Sequence, residues 1–229
     1  MNINADLSQR AVVYSAELPW VDSPLPGVQR RMLERDGEEV ARATSIVRYA
    51  PGSAFSPHTH GGGEEFLVLE GIFSDESGDF GPGMYVRNPP GSKHRPSSAS
   101  GCTIFVKLRQ MEADDQAFVR IDTATAAWQP GSAEGVTILP LYERAPEKVA
   151  LMKLAAGARL GRHEHPGGEE ILVLDGVLED ERGRYPEGTW LRNPDRSAHA
   201  SFSREGCKLY VKTGHLATAE GSRAGSSAA

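Results

Sequence analysis

Apolar and polar positions along this chain fall into short runs. Ten runs of four to six residues stand out, at 11–14, 45–49, 66–69, 84–87, 103–108, 136–139, 149–154, 171–174, 189–192 and 208–212. They are rich in β-branched and aromatic residues and are bounded by Gly, Pro, Asn or Asp, which is the signature of strands separated by turns. No window sustains the 3.6-residue period of a substantial helix. The pattern predicts an all-β protein built from two sandwiches or barrels.

The runs repeat. Residues 58–107 match 163–212 without a gap, at a constant offset of 105. Within the match recur Gly-Glu-Glu (from Gly63 and Gly168), Leu-Val-Leu (from Leu67 and Leu172), Asp75-Glu76 against Asp180-Glu181, and Arg87-Asn88-Pro89 against Arg192-Asn193-Pro194. Self-similarity at this scale means two copies of one domain. The expected domains are residues 1–114 and 115–217, joined near the acidic stretch 112–116, with a small, polar, disordered tail over 218–229. Each copy of about one hundred residues can still bury one core.

The chain of 229 residues has 31 acidic and 25 basic residues, a formal net charge of −6. Nucleic acids and anionic membranes need a basic footprint, so neither is an expected partner. No apolar run approaches the roughly 18 residues of a membrane span, and the polar start lacks the apolar segment of a signal peptide. A cytoplasmic location follows as the default. Cys102 and Cys207, the two cysteines, are again 105 apart. They read as one buried thiol position seen twice, in a late strand.

The histidines carry the chemistry. Six of the seven sort into two sets: His58, His60 and His94, then His163, His165 and His199. Each set has a carboxylate at the same place, Glu64 and Glu169. In a strand, residues i and i+2 share a face, whereas on a helix they diverge, so His-x-His can grip one ion only from extended chain. The glycines after it (Gly61 to Gly63, and Gly167-Gly168 behind Pro166) allow a tight turn that brings the glutamate back. The last histidine must come from another strand, and a barrel interior collects alternate side chains from all its strands. Of the neighbouring acids, strand alternation sends only one inward; Glu64 and Glu169 are taken as ligands, with Glu65 and Glu170 outward or supporting. Three imidazoles and one carboxylate, occurring twice, predict one divalent transition ion per domain: Zn2+ or Fe2+, with Mn2+ and Ni2+ also suited.

These residues resemble the cupin superfamily. Gly52, His58, His60, Glu64 and Gly71 fit its first motif, as do Gly157, His163, His165, Glu169 and Gly176. Gly83, Pro89, Gly91 and His94 fit its second motif. The other copy has Gly188, Pro194 and His199, but Arg196 where glycine is usual. Ser98 and Ser203 stand where the motif ends in Asn. The resemblance implies two tandem jelly-roll barrels, a bicupin. It also implies that an early strand crosses to the neighbouring sheet, since 118–121 sits in its repeat where 10–13 sits in the first. More narrowly, Leu18-Pro19-Trp20, Ala50-Pro51-Gly52, the run from Pro57 to Glu65 and that from Asn88 to His94 resemble the cupin-like domain of the ChrR anti-sigma factors. In that family a zinc-binding helical module captures the sigma factor. No His-x3-Cys-x2-Cys occurs in these residues, so a sigma factor is not an expected partner.

Two functions follow. With an octahedral ion, four protein ligands leave two adjacent positions open, which suits a dioxygenase-type oxidoreductase and a small substrate with oxygen donors. With tetrahedral zinc the site is closed, which suits a sensory or regulatory domain that binds a small ligand or a partner without catalysis. Arg87, Arg192, Lys107 and Lys212 recur and are candidates to orient an anionic substrate, or else ion-pair partners. Trp20, Trp128 and Trp190 read as core or interface residues, and His215 as exposed. Edge strands that need cover leave a homodimer open.

Overall fold

The computed structural model describes residues 1–216; the tail expected over 218–229 lies outside them. Among the described residues the regular structure is β, apart from a single 3-10 turn, Ser15–Glu17. No helix is long and apolar enough to cross a membrane. All ten runs predicted from the alternation fall within strands.

The chain divides into two compact units. The first comprises Met1–Ala5 and Glu17–Ala126, the second Asp6–Ala16 and the residues from Ala127 onward. In the first, the main sheet runs in spatial order Asn2–Ile3, Val28–Gly37, Ala41–Tyr49, Cys102–Leu108, Glu64–Gly71, Met84–Asn88 and Val119–Asp122. A smaller sheet holds Gly78–Phe80, Phe73–Asp75, Ser97–Ser98 and Ser53–Ala54, and His58–Thr59 pairs with Lys93–His94. In the second, the main sheet runs Gln129–Pro130, Val136–Arg144, Glu147–Leu154, Cys207–Thr213, Glu169–Asp180, Thr189–Asn193 and Ala11–Tyr14. There, His163–His165 pairs with Ser197–His199.

The predicted exchange of early strands is present in both directions. Ala11–Tyr14 belongs to the second unit and pairs with Thr189–Asn193. Val119–Asp122 belongs to the first and pairs with Met84–Asn88. Ala11 lies opposite Arg192, and Val119 opposite Arg87, so the two segments occupy equivalent places.

Each unit has its own apolar core, and the cores are built from matched positions. Phe66, Val68, Phe73, Phe80, Val86, Ile104 and Val106 cluster in one, and Ile171, Val173, Leu178, Tyr185, Leu191, Leu209 and Val211 in the other. Burying each such side chain contributes about 1.5–3 kcal/mol. Cys102 and Cys207 are free, buried thiols within these clusters, as expected. Glu64, Phe66 and Val68 alternate along one strand, which puts the carboxylate on the same face as the core.

One long strand went unpredicted. Val28–Gly37 reads Val-Gln-Arg-Arg-Met-Leu-Glu-Arg-Asp-Gly and carries too much charge for an apolar run. A bulge between Met32 and Glu34 shifts its register, and Glu34, fully buried, pairs with Arg42.

Candidate metal centres

Both histidine sets converge. His58 lies directly opposite His94 in one two-stranded ladder, and His163 opposite His199 in the other. After each His-x-His the chain turns through a glycine with positive φ, 76° at Gly63 and 74° at Gly168, and re-enters the main sheet at Glu64 or Glu169. The three imidazole rings of the first unit sit 4.6 to 4.9 Å apart, centroid to centroid. Those of the second sit 4.6 to 5.1 Å apart.

In the second unit one donor atom from each of His163, His165, Glu169 and His199 lies within 4.8 Å of every other. In the first, His58, His60 and His94 meet the same condition. Glu64 is set slightly aside: its Oε2 is 3.5 Å from Nε2 of His60 and 3.6 Å from Nε2 of His94. Glu169 Oε2 is 3.5 Å from His165 Nε2 and 3.4 Å from His199 Nε2.

The residues fit a metal ion. Nε2 of His60, His94 and His165 is buried and carries no hydrogen bond. Leaving a buried polar nitrogen without a partner is costly, and three such nitrogens aimed at two common points call for a cation. Burial lowers the His60 pKa, and burial aided by His199 and His163 lowers that of His165 to about 3, which keeps these rings neutral, as ligation requires. Burial pushes the Glu169 carboxyl up. At His94 burial works downward, but Asp75 and Glu64 outweigh it and the net shift is upward.

A second layer of residues orients the donors. Asn88 Nδ2 donates to Glu64 Oε2 at 3.0 Å, and Asn193 Nδ2 to Glu169 Oε2 at 2.9 Å. Arg120 donates to Asn88 Oδ1 at 2.7 Å, and Arg10 to Asn193 Oδ1 at 2.9 Å. Asp75 Oδ2 lies 3.1 Å from His94 Nδ1, and Asp180 Oδ2 lies 3.5 Å from His199 Nδ1. Carbonyls of Ser56 and Gly161 face Nδ1 of His58 and His163 at 3.4 and 2.7 Å. With Nδ1 facing a carboxylate, His94 and His199 turn Nε2 toward Glu64 and Glu169. Ser98 and Ser203 are buried and donate to the carbonyls of Ile72 and Val177, so they brace strands and do not touch the donors.

The recurring basic residues lie elsewhere. Lys107, Glu65 and Arg87 stand side by side on three adjacent strands, as do Lys212, Glu170 and Arg192. Alternation puts them on the face opposite Glu64 and Glu169, and all six are buried. Arg87 donates to Glu65 at 2.6 Å and to Asp115 at 2.5 Å, while Arg192 donates to the carbonyls of Asp6 and Gln9. Each arginine thus fastens the segment that leads into an exchanged strand. Lys107 donates to Thr44, and Lys212 pairs with Glu147. The structure does not bring these four to the imidazoles, because their strand position faces them away. His215, expected to be exposed, has a buried side chain 3.1 Å from Glu170 Oε2; the chain beyond the last strand folds back over that carboxylate. Trp190 is fully buried and donates to Glu170, whereas Trp20 and Trp128 are half-buried beneath Arg31, Arg48 and Lys153.

The first centre adjoins an apolar cavity. It measures about 420 Å³ and includes His58, His60 and Glu64 in its wall. Leu25, Val28, Val47, Tyr49 and Phe55 supply much of the rest. Pro96 also lines it, where the second unit has Ser201, whose hydroxyl is 3.1 Å from His199 Nε2.

The ChrR Cupin-like domain matches residues 8–112 and again 116–217, and the chain belongs to that family. The fold is accordingly that of two tandem cupin barrels. Solved structures agree with it. A Nostoc punctiforme protein provisionally described as a dioxygenase superposes with a TM-score of 0.76, at 14% identity over 93% of this chain and 85% of its own. The bacterial pirin of Escherichia coli in complex with nickel(II) gives 0.66, at 13% identity over 90% and 98%. A Lactobacillus farciminis oxalate decarboxylase with formate gives 0.62, at 11% identity over 94% and 90%. No curated protein matches the sequence.

Proposed function

We propose that each unit holds one divalent transition ion, and that the first unit uses its ion as a dioxygenase-type enzyme on a small molecule with oxygen donors. The ligands are His58, His60, His94 and Glu64 in the first unit, and His163, His165, His199 and Glu169 in the second. The observation that carries the catalytic part is the cavity of about 420 Å³ at the first centre, within the range of small-molecule sites. A bound ion such as iron(II) supplies Lewis acidity, and redox chemistry with dioxygen, at that spot.

The chain's own residues do the rest. Asn88, held by Arg120, fixes the Glu64 carboxylate. Asp75 fixes the His94 ring. The apolar wall of Leu25, Val28, Val47 and Phe55 offers a surface for the substrate's apolar part. Burial, with Glu64 nearby, raises the pKa of Tyr49, so its phenol stays protonated on that wall.

Anaerobic reconstitution with iron(II), followed by oxygen uptake with a panel of diketones and hydroxylated aromatic ketones, tests this reading. Uptake that His60→Ala abolishes and His165→Ala leaves in place supports it. No uptake across the panel would remove the enzymatic part. Firmly bound zinc at both centres, with no exchangeable water, would support the sensory role instead.

A further inference from the structure

The two units differ at one backbone position beside the metal ligands. Arg109 and Gly214 follow equivalent strands, and each donates its amide to the glycine carbonyl that precedes the ligand glutamate, at 3.0 Å to Gly63 in one and 3.0 Å to Gly168 in the other. Both have a left-handed backbone, with φ of 57° at Arg109 and 76° at Gly214. Glycine adopts that conformation freely; for an arginine it costs about 1 kcal/mol. In the second unit no side chain fits, since a Cβ on Gly214 would fall 2.0 Å from the Pro146 carbonyl oxygen. In the first unit there is room, and a strained arginine occupies it.

Its side chain runs along the ligand loop. A Cβ placed on Gly61, next to His60, would come within 3.0 Å of Arg109 Nη1. Arg109 lines the same cavity as His58, His60 and Glu64. The other charges on that wall are engaged: Arg30 pairs with Glu39 at 3.2 Å, and Glu64 is held by Asn88. Arg109 makes no ion pair with any described residue. The cavity therefore has a candidate metal centre, an apolar body and one exposed guanidinium that is engaged in no ion pair among the described residues, the group best suited to grip a carboxylate.

We propose that the ligand of the first unit is anionic: an apolar-bodied small molecule whose oxygen donors reach the ion and whose carboxylate tail is bound by Arg109. This rests on the metal-centre reading above and adds the tail. The second unit has Gly214, and so no side chain, at that position.

The test uses the full chain loaded with cobalt(II), whose visible spectrum reports ligands entering its coordination sphere. The probes are 4,6-dioxoheptanoate, a β-diketone with a carboxylate tail, and acetylacetone, the same diketone without one. Metal content after desalting is measured in parallel. The parent should bind the tailed probe at least about tenfold more tightly. Arg109→Gly installs the residue the second unit uses here, so it should fold, keep its cobalt and melt no lower than the parent. It should bind the two probes within about threefold of each other, with acetylacetone unchanged; Arg109→Lys should retain part of the preference. A preference that survives Arg109→Gly, or is missing from the parent, overturns the proposal and leaves the metal reading intact. If cobalt stays bound and neither probe perturbs it, the small-ligand reading falls too; if cobalt does not bind, the metal reading falls with both.

Discussion

Arg120 and Asn88 form a hydrogen bond of 2.7 Å that ties an exchanged strand to the first candidate metal centre. Asn88 passes the constraint on to Glu64. In the second unit Arg10 and Asn193 do the same for Glu169. Each ligand carboxylate is thus set by an arginine that the chain places in, or just before, the strand running in from the other repeat.

Removing that arginine should loosen one centre and spare the other. Arg120→Ala is expected to weaken zinc binding at the first centre by about 10–100-fold, the usual cost of losing such a support. Arg10→Ala should do so at the second. Competitive chelator titrations of each variant would show it, and equal affinities at both centres in either variant would contradict it.

The arginines were not legible as site residues, for a physical reason. The histidines, glutamates and asparagines recur at a constant offset, so comparing the chain with itself reveals them. Arg120 does not recur that way: strand register makes Val119 equivalent to Ala11, so Arg120 matches Val12 and Arg10 matches Phe118. Two long side chains reach the same asparagine from positions two residues apart, which no repeat displays. Asp75 and Asp180 did recur, but nothing along the chain showed that they face His94 and His199. The alternation that correctly turned Glu64 inward also turned Arg87 and Lys107 outward, a consequence that could have been drawn from the strand period alone.

Arg87→Met should destabilise without emptying a centre. It removes the arginine that pairs with the buried carboxylates of Glu65 and Asp115, and taking one partner from a buried ion pair costs about 3–5 kcal/mol. Thermal melts should show a large fall, while metal analysis of the folded protein still finds both ions. A variant as stable as the parent but defective in substrate binding would restore Arg87 to the substrate role.

Cutting the chain tests the strand exchange. A fragment of residues 1–114 lacks Val119–Asp122 and Arg120, leaving Met84–Asn88 an open edge, whereas one of residues 1–126 keeps both. The longer piece should be soluble and bind one ion; the shorter should aggregate or bind weakly. Equal stability of the two, measured by chemical denaturation, would show that the exchanged strand is dispensable.

His60→Ala and His165→Ala should each remove one ion of two, because the donor sets share no residue. Elemental analysis of the two variants would read this directly. Loss of both ions from either variant would mean that the centres do not fill independently.

Anomalous diffraction from crystals grown with cobalt(II), collected on both sides of the cobalt absorption edge, bears most directly on the paired cages. The expected result is one peak between His58, His60, His94 and Glu64, and a second between His163, His165, His199 and Glu169. No peak at either place, with the imidazoles turned apart, would contradict the account.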